Sequence, residues 1–318
     1  MSMNRIQFQK GLSLSSFIET YGTEPDCEQA LFEARWPQGF RCPKCSADRH
    51  GTFYREGRKY WKCQACKHQT TLVSGTIFQA TQLGLRQWFQ AMYLLTSTKT
   101  NVSALELKRH LGVCYRTAWT IKHKLMAVMA LRESSRTLAG RVELDDAYLG
   151  GENPGGKAGR GSENKIPFLA AVETNQKGHP LFVVFSRVKT FSQAEVEAWS
   201  RQHLATSATV ISDGLACFSA VTAVGCTHQA EVVGTQRKST DMPCFNWVNT
   251  LLGNLKTALS GTYHAFDFDK YGHRYLAEAQ YRFNRRFSLK DMLPRLMRAC
   301  ALTVPWPDPR LRLGEVQS

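Results

Sequence analysis

Apolar residues along this 318-residue chain change period from segment to segment, and the changes mark its parts. Phe17, Ile18, Tyr21, Leu31 and Phe32 fall at roughly helical intervals and predict a helical lead-in over residues 1–35. Thr52-Phe53-Tyr54 and Lys59-Tyr60-Trp61-Lys62 then alternate aromatic with polar positions, the two-residue period of short strands. From Leu83 the helical period returns, with Trp88, Phe89, Met92, Tyr93 and Leu94 at core-like spacing. Ser103-Ala104-Leu105-Glu106 has the spacing of a capping box, and Gly112 stands where a helix-turn-helix bends. The next helix, Tyr115 to Leu125, is expected to bury Ala118, Trp119, Ile121 and Leu125 and to expose Arg116, Thr117, Thr120, Lys122 and His123. A DNA-reading helix and a purely structural bundle both fit this pattern.

Beyond Gly140 strands and helices alternate. Residues 141–151 alternate as a strand, while Phe168–Val172 and Leu181–Phe185 are apolar runs suited to a buried sheet. Gln193 to Leu204 is amphipathic, Thr209–Asp213 reads as a strand ending in an acid, and Ala216 to Val224 is helical. Val232-Val233 is expected to close the sheet, and Phe245 to Leu259 to form a longer helix. Three antiparallel strands followed by helix, strand, helix, strand and helix is the order of the ribonuclease-H-like fold. The expected fold class is therefore multidomain, α+β and α/β, with a mixed five-stranded sheet in the last domain. Boundaries fall at 1–35 (lead-in), 36–78 (zinc ribbon), 79–137 (helix-turn-helix-like), 138–302 (ribonuclease-H-like) and 303–318 (tail).

The zinc assignment comes from the cysteines. Cys42-Pro43-Lys44-Cys45 and Cys63-Gln64-Ala65-Cys66 are two C-x-x-C knuckles, whose four thiolates suit a tetrahedral ion with no place left for water. This predicts structural zinc and a reducing compartment. Lys and Arg number 41 against 26 Asp and Glu, a formal charge of +15 that favours a polyanionic partner, nucleic acid first. Charge alone also suits a solvated basic surface or a membrane-surface preference. The longest apolar runs are too short to span a bilayer and the N-terminus lacks a signal-peptide layout, so a cytoplasmic, nucleoid-associated protein with no membrane partner is expected.

In the ribonuclease-H-like order, an acid in the first strand and one at the end of the fourth come side by side, where carboxylates hold the metal ions of phosphoryl displacement. Asp145 and Asp213 hold those positions. Alternation puts Glu143 on the face of Asp145 and Asp146 on the other. Arg282, Arg285 and Arg286 suit phosphate contact. So do Lys157 and Arg160 in the Gly-rich loop 155–161, which lacks the spacing of a phosphate-binding P-loop. Glu278 pairs more cheaply with Arg282, one turn on, than it serves as an acid of the site. His228, ahead of the expected last strand, could face the active centre or be structural.

From Arg41 to about Leu296 the chain resembles the bacterial zinc-ribbon insertion-sequence transposases, the ISXO-like branch of the DDE superfamily. The double knuckle, Val142–Gly151, Ser212-Asp213-Gly214 and a C-terminal block carry the likeness. That block comprises Trp247–Lys256, Gly261–His264, Tyr275–Glu278 and Tyr281–Arg286. The resemblance implies a magnesium-dependent DNA transposase, with manganese as a substitute, that cuts at inverted ends and joins them to target DNA. Double-stranded DNA is its implied partner, and two ends held together require at least a homodimer. It assigns the metal acids to Asp145 and Asp213 and the third position to Asn249, where the plain DDE pattern has an acid. Lys256, seven residues on and on the same helical face, either holds a scissile phosphate or covers the core with its stem. The departure at Asn249 leaves open a catalytically inactive, zinc-ribbon DNA-binding derivative.

Overall fold

The computed structural model describes residues 5–6, 8–150, 165–231, 242–263 and 266–314. Two compact units form, Met1–Val128 with Arg286–Arg312, and Met129–Arg285 with Leu313–Ser318. Residues 286–302, expected in the last domain, thus group with the first unit. Lys157, Arg160, Val232, Val233 and His264 lie outside the described residues.

In the first unit, helix α1 (Leu14–Tyr21) starts at Ser13, whose hydroxyl accepts from the Ser16 amide. Helix α2 (Glu24–Arg35) opens with a reciprocal capping box between Thr23 and Asp26. Phe17 stacks on Tyr93 and Tyr21 meets Phe89, so α1 is pinned by rings of helix α3 (Leu85–Ser97). Gly84 gives α3 no side-chain cap; the Glu24 carboxylate does so instead, accepting from the Leu85 amide and, at 3.0 Å, from that of Arg86. The ribbon comprises β1 (His50–Arg55), β2 (Arg58–Cys63) and β3 (Gln69–Thr71) in an antiparallel sheet. Glu56 and Gly57, both at positive φ (51° and 74°), make the two-residue turn that suits the twist of a hairpin.

Helix α4 (Ala104–Leu111) starts at Ser103 and stops at Gly112, whose φ of 65° permits the bend into α5 (Tyr115–Glu133). The expected exposed stripe on α5 is corrected by the structure. Lys122 and His123 are only 0% and 1% exposed, and His123 stacks on Trp119. Ala118, Ile121, Leu125, Met126, Ala127 and Val128 are buried as well. A helix buried around most of its circumference has no single polar face, which the one-sided periodicity argument assumed. Lys122 is therefore not displayed for DNA. Arg116 is exposed, its side chain 74% accessible, and Asp308 accepts a 3.0 Å hydrogen bond from it.

The second unit is built on β4 (Arg141–Leu149), β5 (Ile166–Thr174), β6 (Pro180–Arg187), α6 (Gln193–His203), β7 (Thr209–Ser212) and β8 (Thr227–Ala230). Helices α7 (Asn246–Thr262) and α8 (Phe268–Asn284) follow. The sheet order is β6-β5-β4-β7-β8; β5 runs antiparallel to both of its neighbours, and β7 and β8 run parallel to β4. This is the ribonuclease-H-like sheet that the element order predicts. Its closing strand lies earlier than Val232-Val233 and contains His228, paired across from Val210. Val142 and Leu144 of β4 join Leu169, Val184, Val196, Trp199, Val210 and Phe218 in a core on the α6 side of the sheet. The opposite face of β4, bearing Glu143 and Asp145, is left for α7.

The edge strand β6 is sealed by side chains instead of another strand. The Val183 amide donates to Asn284 Oδ1 (2.8 Å), the Phe185 amide to Gln280 Oε1 (2.9 Å), and Asn284 Nδ2 returns a bond to the Val183 carbonyl (2.9 Å). Asn284 Nδ2 and Gln280 Nε2 also donate to Glu133 Oε2, at 2.7 and 3.2 Å, and Arg285 donates to Glu133 Oε1. Arg285, expected to touch DNA, is thus committed to a buried ion pair, 13% exposed beside a 3% exposed partner. Arg282 and Arg286 are half-buried, and burial pushes Arg286 down to about 10. The Glu278 charge supports that of Arg282 against its burial, in keeping with a one-turn pair. Glu133→Ala is expected to lower stability by roughly 3–5 kcal/mol, as loss of one partner strands the buried Arg285 charge; a urea titration monitoring the second unit measures it.

Candidate active site and zinc centre

The parallel register of β4 with β7 brings the acids together. Arg141 pairs with Thr209, Val142 with Val210 and Glu143 with Ile211. Continuing that offset sets Asp145 opposite Asp213, just past the end of β7. The Asp213 carboxylate accepts from the Leu215 amide at 3.0 Å, and Gly214, at φ 85°, makes the turn that holds it there.

Asp145, Asp146 and Asp213 each place a carboxylate oxygen within 4.8 Å of the others. Asp146 corrects the sequence reading, which set it on the far face. Because β7 pairs with β4 only as far as Glu143, the edge of β4 is open beyond it. The Asp145 carboxylate lies at that edge and accepts from the Asp146 amide at 2.9 Å. Strand alternation fixes where a side chain leaves the backbone; at an open edge it does not fix where a carboxylate ends.

Burial, then the Asp146 and Asp213 charges, push the Asp145 carboxyl up to about 7, while Lys256 pulls it down. Three hard oxygen donors this close repel one another unless a cation or protons intervene, and a divalent ion such as magnesium matches such a set. Lys256 is exposed on α7, and its charge bears on Asp145. Asn249 sits half-buried in the first turn of the same helix, two turns back along the same stripe. His228 is turned to structure: its Nε2 bonds Ser212 Oγ at 2.9 Å, tying β8 to β7.

In the first unit, Cys42, Cys45, Cys63 and Cys66 likewise gather within 4.8 Å. Cys42 Sγ lies 3.6 Å from Cys66 Sγ, as does Cys45 Sγ from Cys63 Sγ. Ligand bonds near 2.3 Å in a tetrahedron set sulfurs about 3.8 Å apart, so the four thiols fit zinc. Each knuckle turns alike. Ser46 and Lys67, at φ 60° and 59°, donate their amides to the Cys42 and Cys63 carbonyls. The Cys66 amide, with the neighbouring thiols, holds the Cys63 thiol down at about 7, while the neighbouring thiols push that of Cys45 up to about 12, as thiols sharing protons at close quarters do.

Residues 137–284 match the ISXO2-like transposase domain, and residues 22–69 match the transposase zinc-ribbon domain. Over these two segments the chain is similar to the ISXO2-like transposases. Its parallel β4–β7 pair and its four-thiol knuckle are the parts that these two matches span. An uncharacterized protein in transposable element ISH50 of Halobacterium salinarum is 29% identical, over 63% of this chain and 71% of that protein. Two solved structures also match. A Mos1 transposase paired-end complex with the left transposon end covers 63% of this chain and 75% of its own, at 10% identity and a TM-score of 0.20. A pre-cleavage Mos1 transpososome covers 95% and 98%, at 11% and 0.21.

Sequence reading of this chain missed Gln280, Asn284 and Glu133. Gln280 and Asn284 stand one helical turn apart, a spacing that marks a shared face but not a sheet edge beneath it. No helix among the described residues is long and apolar enough to cross a membrane.

Proposed function

We propose that this transposase binds the terminal inverted repeats of its insertion sequence and catalyses magnesium-dependent DNA cleavage and strand transfer. The convergence of the Asp145, Asp146 and Asp213 carboxylates at the end of the parallel strand pair carries the reading. Asp145, Asp213 and Asn249 would hold magnesium, or manganese in its place; bound metal supplies positive charge at the attacking and leaving oxygens. Water adds to phosphorus at the element end as the 3′-oxygen leaves, and the freed 3′-hydroxyl then attacks a target phosphodiester, whose own 3′-oxygen leaves and takes up the proton. Lys256 would hold the scissile phosphate. Arg116 and the basic residues of the ribbon contact the duplex backbone, consistent with the +15 formal charge. Joining two ends calls for a homodimer or larger assembly on DNA.

Asn249 favours one competing reading, a DNA-binding derivative without activity, because an amide oxygen brings no negative charge to the metal. An element-end duplex incubated with the full chain in magnesium separates the two. Nicking at the end followed by joining supports the transposase; a stable complex with intact DNA supports the derivative. Asn249→Ala is expected to slow cleavage roughly 10- to 100-fold, with partial recovery at raised magnesium or manganese. An unchanged rate removes Asn249 from the site.

A further inference from the structure

Glu143 is 1% exposed, and a carboxylate so buried must be paired and hydrogen-bonded. Its Oε1 accepts from Arg141 Nη1 at 2.9 Å; its Oε2 accepts from the backbone amides of Trp247 (2.9 Å) and Val248 (3.0 Å), in the first turn of α7. The residue before that helix, Phe245, offers no side-chain cap, so Glu143 supplies from a distant strand what an N-cap residue supplies locally. Its negative charge also suits the positive end of the helix. Arg141 completes a clamp, donating from Nη2 to the Cys244 carbonyl at 3.0 Å and from Nη1 to Thr174 Oγ1 at 3.3 Å. Both carboxylate oxygens are thus engaged by protein donors, and Glu143 is not among the carboxylates that gather within 4.8 Å.

We propose that Glu143 is a positioning residue that fixes the first turn of α7, and with it Asn249, beside the metal-binding carboxylates. One strand then carries two functions two residues apart on the same face: Asp145 as a ligand, and Glu143 as the anchor of the helix that brings the third ligand. Asn249 follows directly on the capped Val248 amide, so little chain remains over which its position can drift. This inference rests on the assignment of Asn249 to the metal site.

The test compares full-length wild type, Glu143→Ala, Glu143→Gln, Asn249→Ala and the Glu143→Ala/Asn249→Ala double variant. Manganese binding is read by electron paramagnetic resonance, and amide exchange is followed at residues 246–250. In Glu143→Ala the Trp247 and Val248 amides exchange faster, and manganese affinity drops about 10- to 100-fold. Glu143→Gln, which keeps an acceptor oxygen, retains part of the protection and covers the case in which the alanine variant fails to fold. On the Asn249→Ala background the second substitution costs no further affinity, because the ligand that Glu143 positions is already gone.

Unchanged exchange at 247 and 248 overturns the proposal. So does an equal loss of affinity on both backgrounds, which would mark Glu143 as a mere source of negative charge. If wild type itself binds no manganese and leaves element ends intact, it is the metal-site reading that has failed; if wild type does both and Glu143→Ala matches it, only the positioning role has.

Discussion

Asp145→Ala and Asp213→Ala are each expected to abolish cleavage of an element-end duplex in magnesium, by about a thousandfold or more, with zinc content and end binding unchanged. The expectation rests on what the two carboxylates do for the fold, which is little. Among the described residues, Asp145 accepts from its neighbour's amide and Asp213 from the Leu215 amide, whereas the core of β4 lies on the other face, through Val142 and Leu144. Their proximity opposes folding in the absence of a cation, since burial and two neighbouring charges raise the Asp145 carboxyl to about 7. Removing one charge should leave the metal-free thermal midpoint unchanged or slightly higher. Lost cleavage together with a preserved midpoint identifies ligands. Retained cleavage in either variant ends the assignment, and a collapsed midpoint would place the side chain among structural groups.

Removal of zinc is the second large effect. Cys63→Ser, or treatment with a strong chelator, is expected to unfold the ribbon and to take DNA binding with it. The three strands of this module are short, and a few dozen residues bury too little to fold unaided. A structural zinc contributes roughly 10–16 kcal/mol to such modules, more than the stability of many whole domains. Trp61 is a built-in reporter. It is 5% exposed and packed with Phe32, Trp36 and Phe40, so loss of the ion should shift its emission to the red. Bound zinc should fall from one per chain to none while the second unit keeps its helical signal. Full zinc content in Cys63→Ser, or an unmoved spectrum after chelation, contradicts a four-cysteine site.

The sequence by itself determined the local devices. Cys42, Cys45, Cys63 and Cys66 are legible because knuckle geometry is set within four residues. The cap at Ser103 is legible because a helix start is a short-range hydrogen-bonding problem. The order of strands and helices also sufficed for the sheet, since crossover rules leave few ways to lay down those elements. Tertiary structure decided the rest. Lys122 looked like a surface cation until α5 proved buried around most of its circumference. Arg285 looked like a phosphate ligand until Glu133, 152 residues away in the chain, was found beside it. Asp146 joined the acidic cluster because β7 stops short and leaves the edge of β4 open. Glu143, adjacent in pattern to Asp145, proved to hold a helix that begins more than a hundred residues later. Each of these outcomes depends on which distant group supplies a partner for a buried charge. Periodicity along the chain records which way a side chain departs, not what it meets.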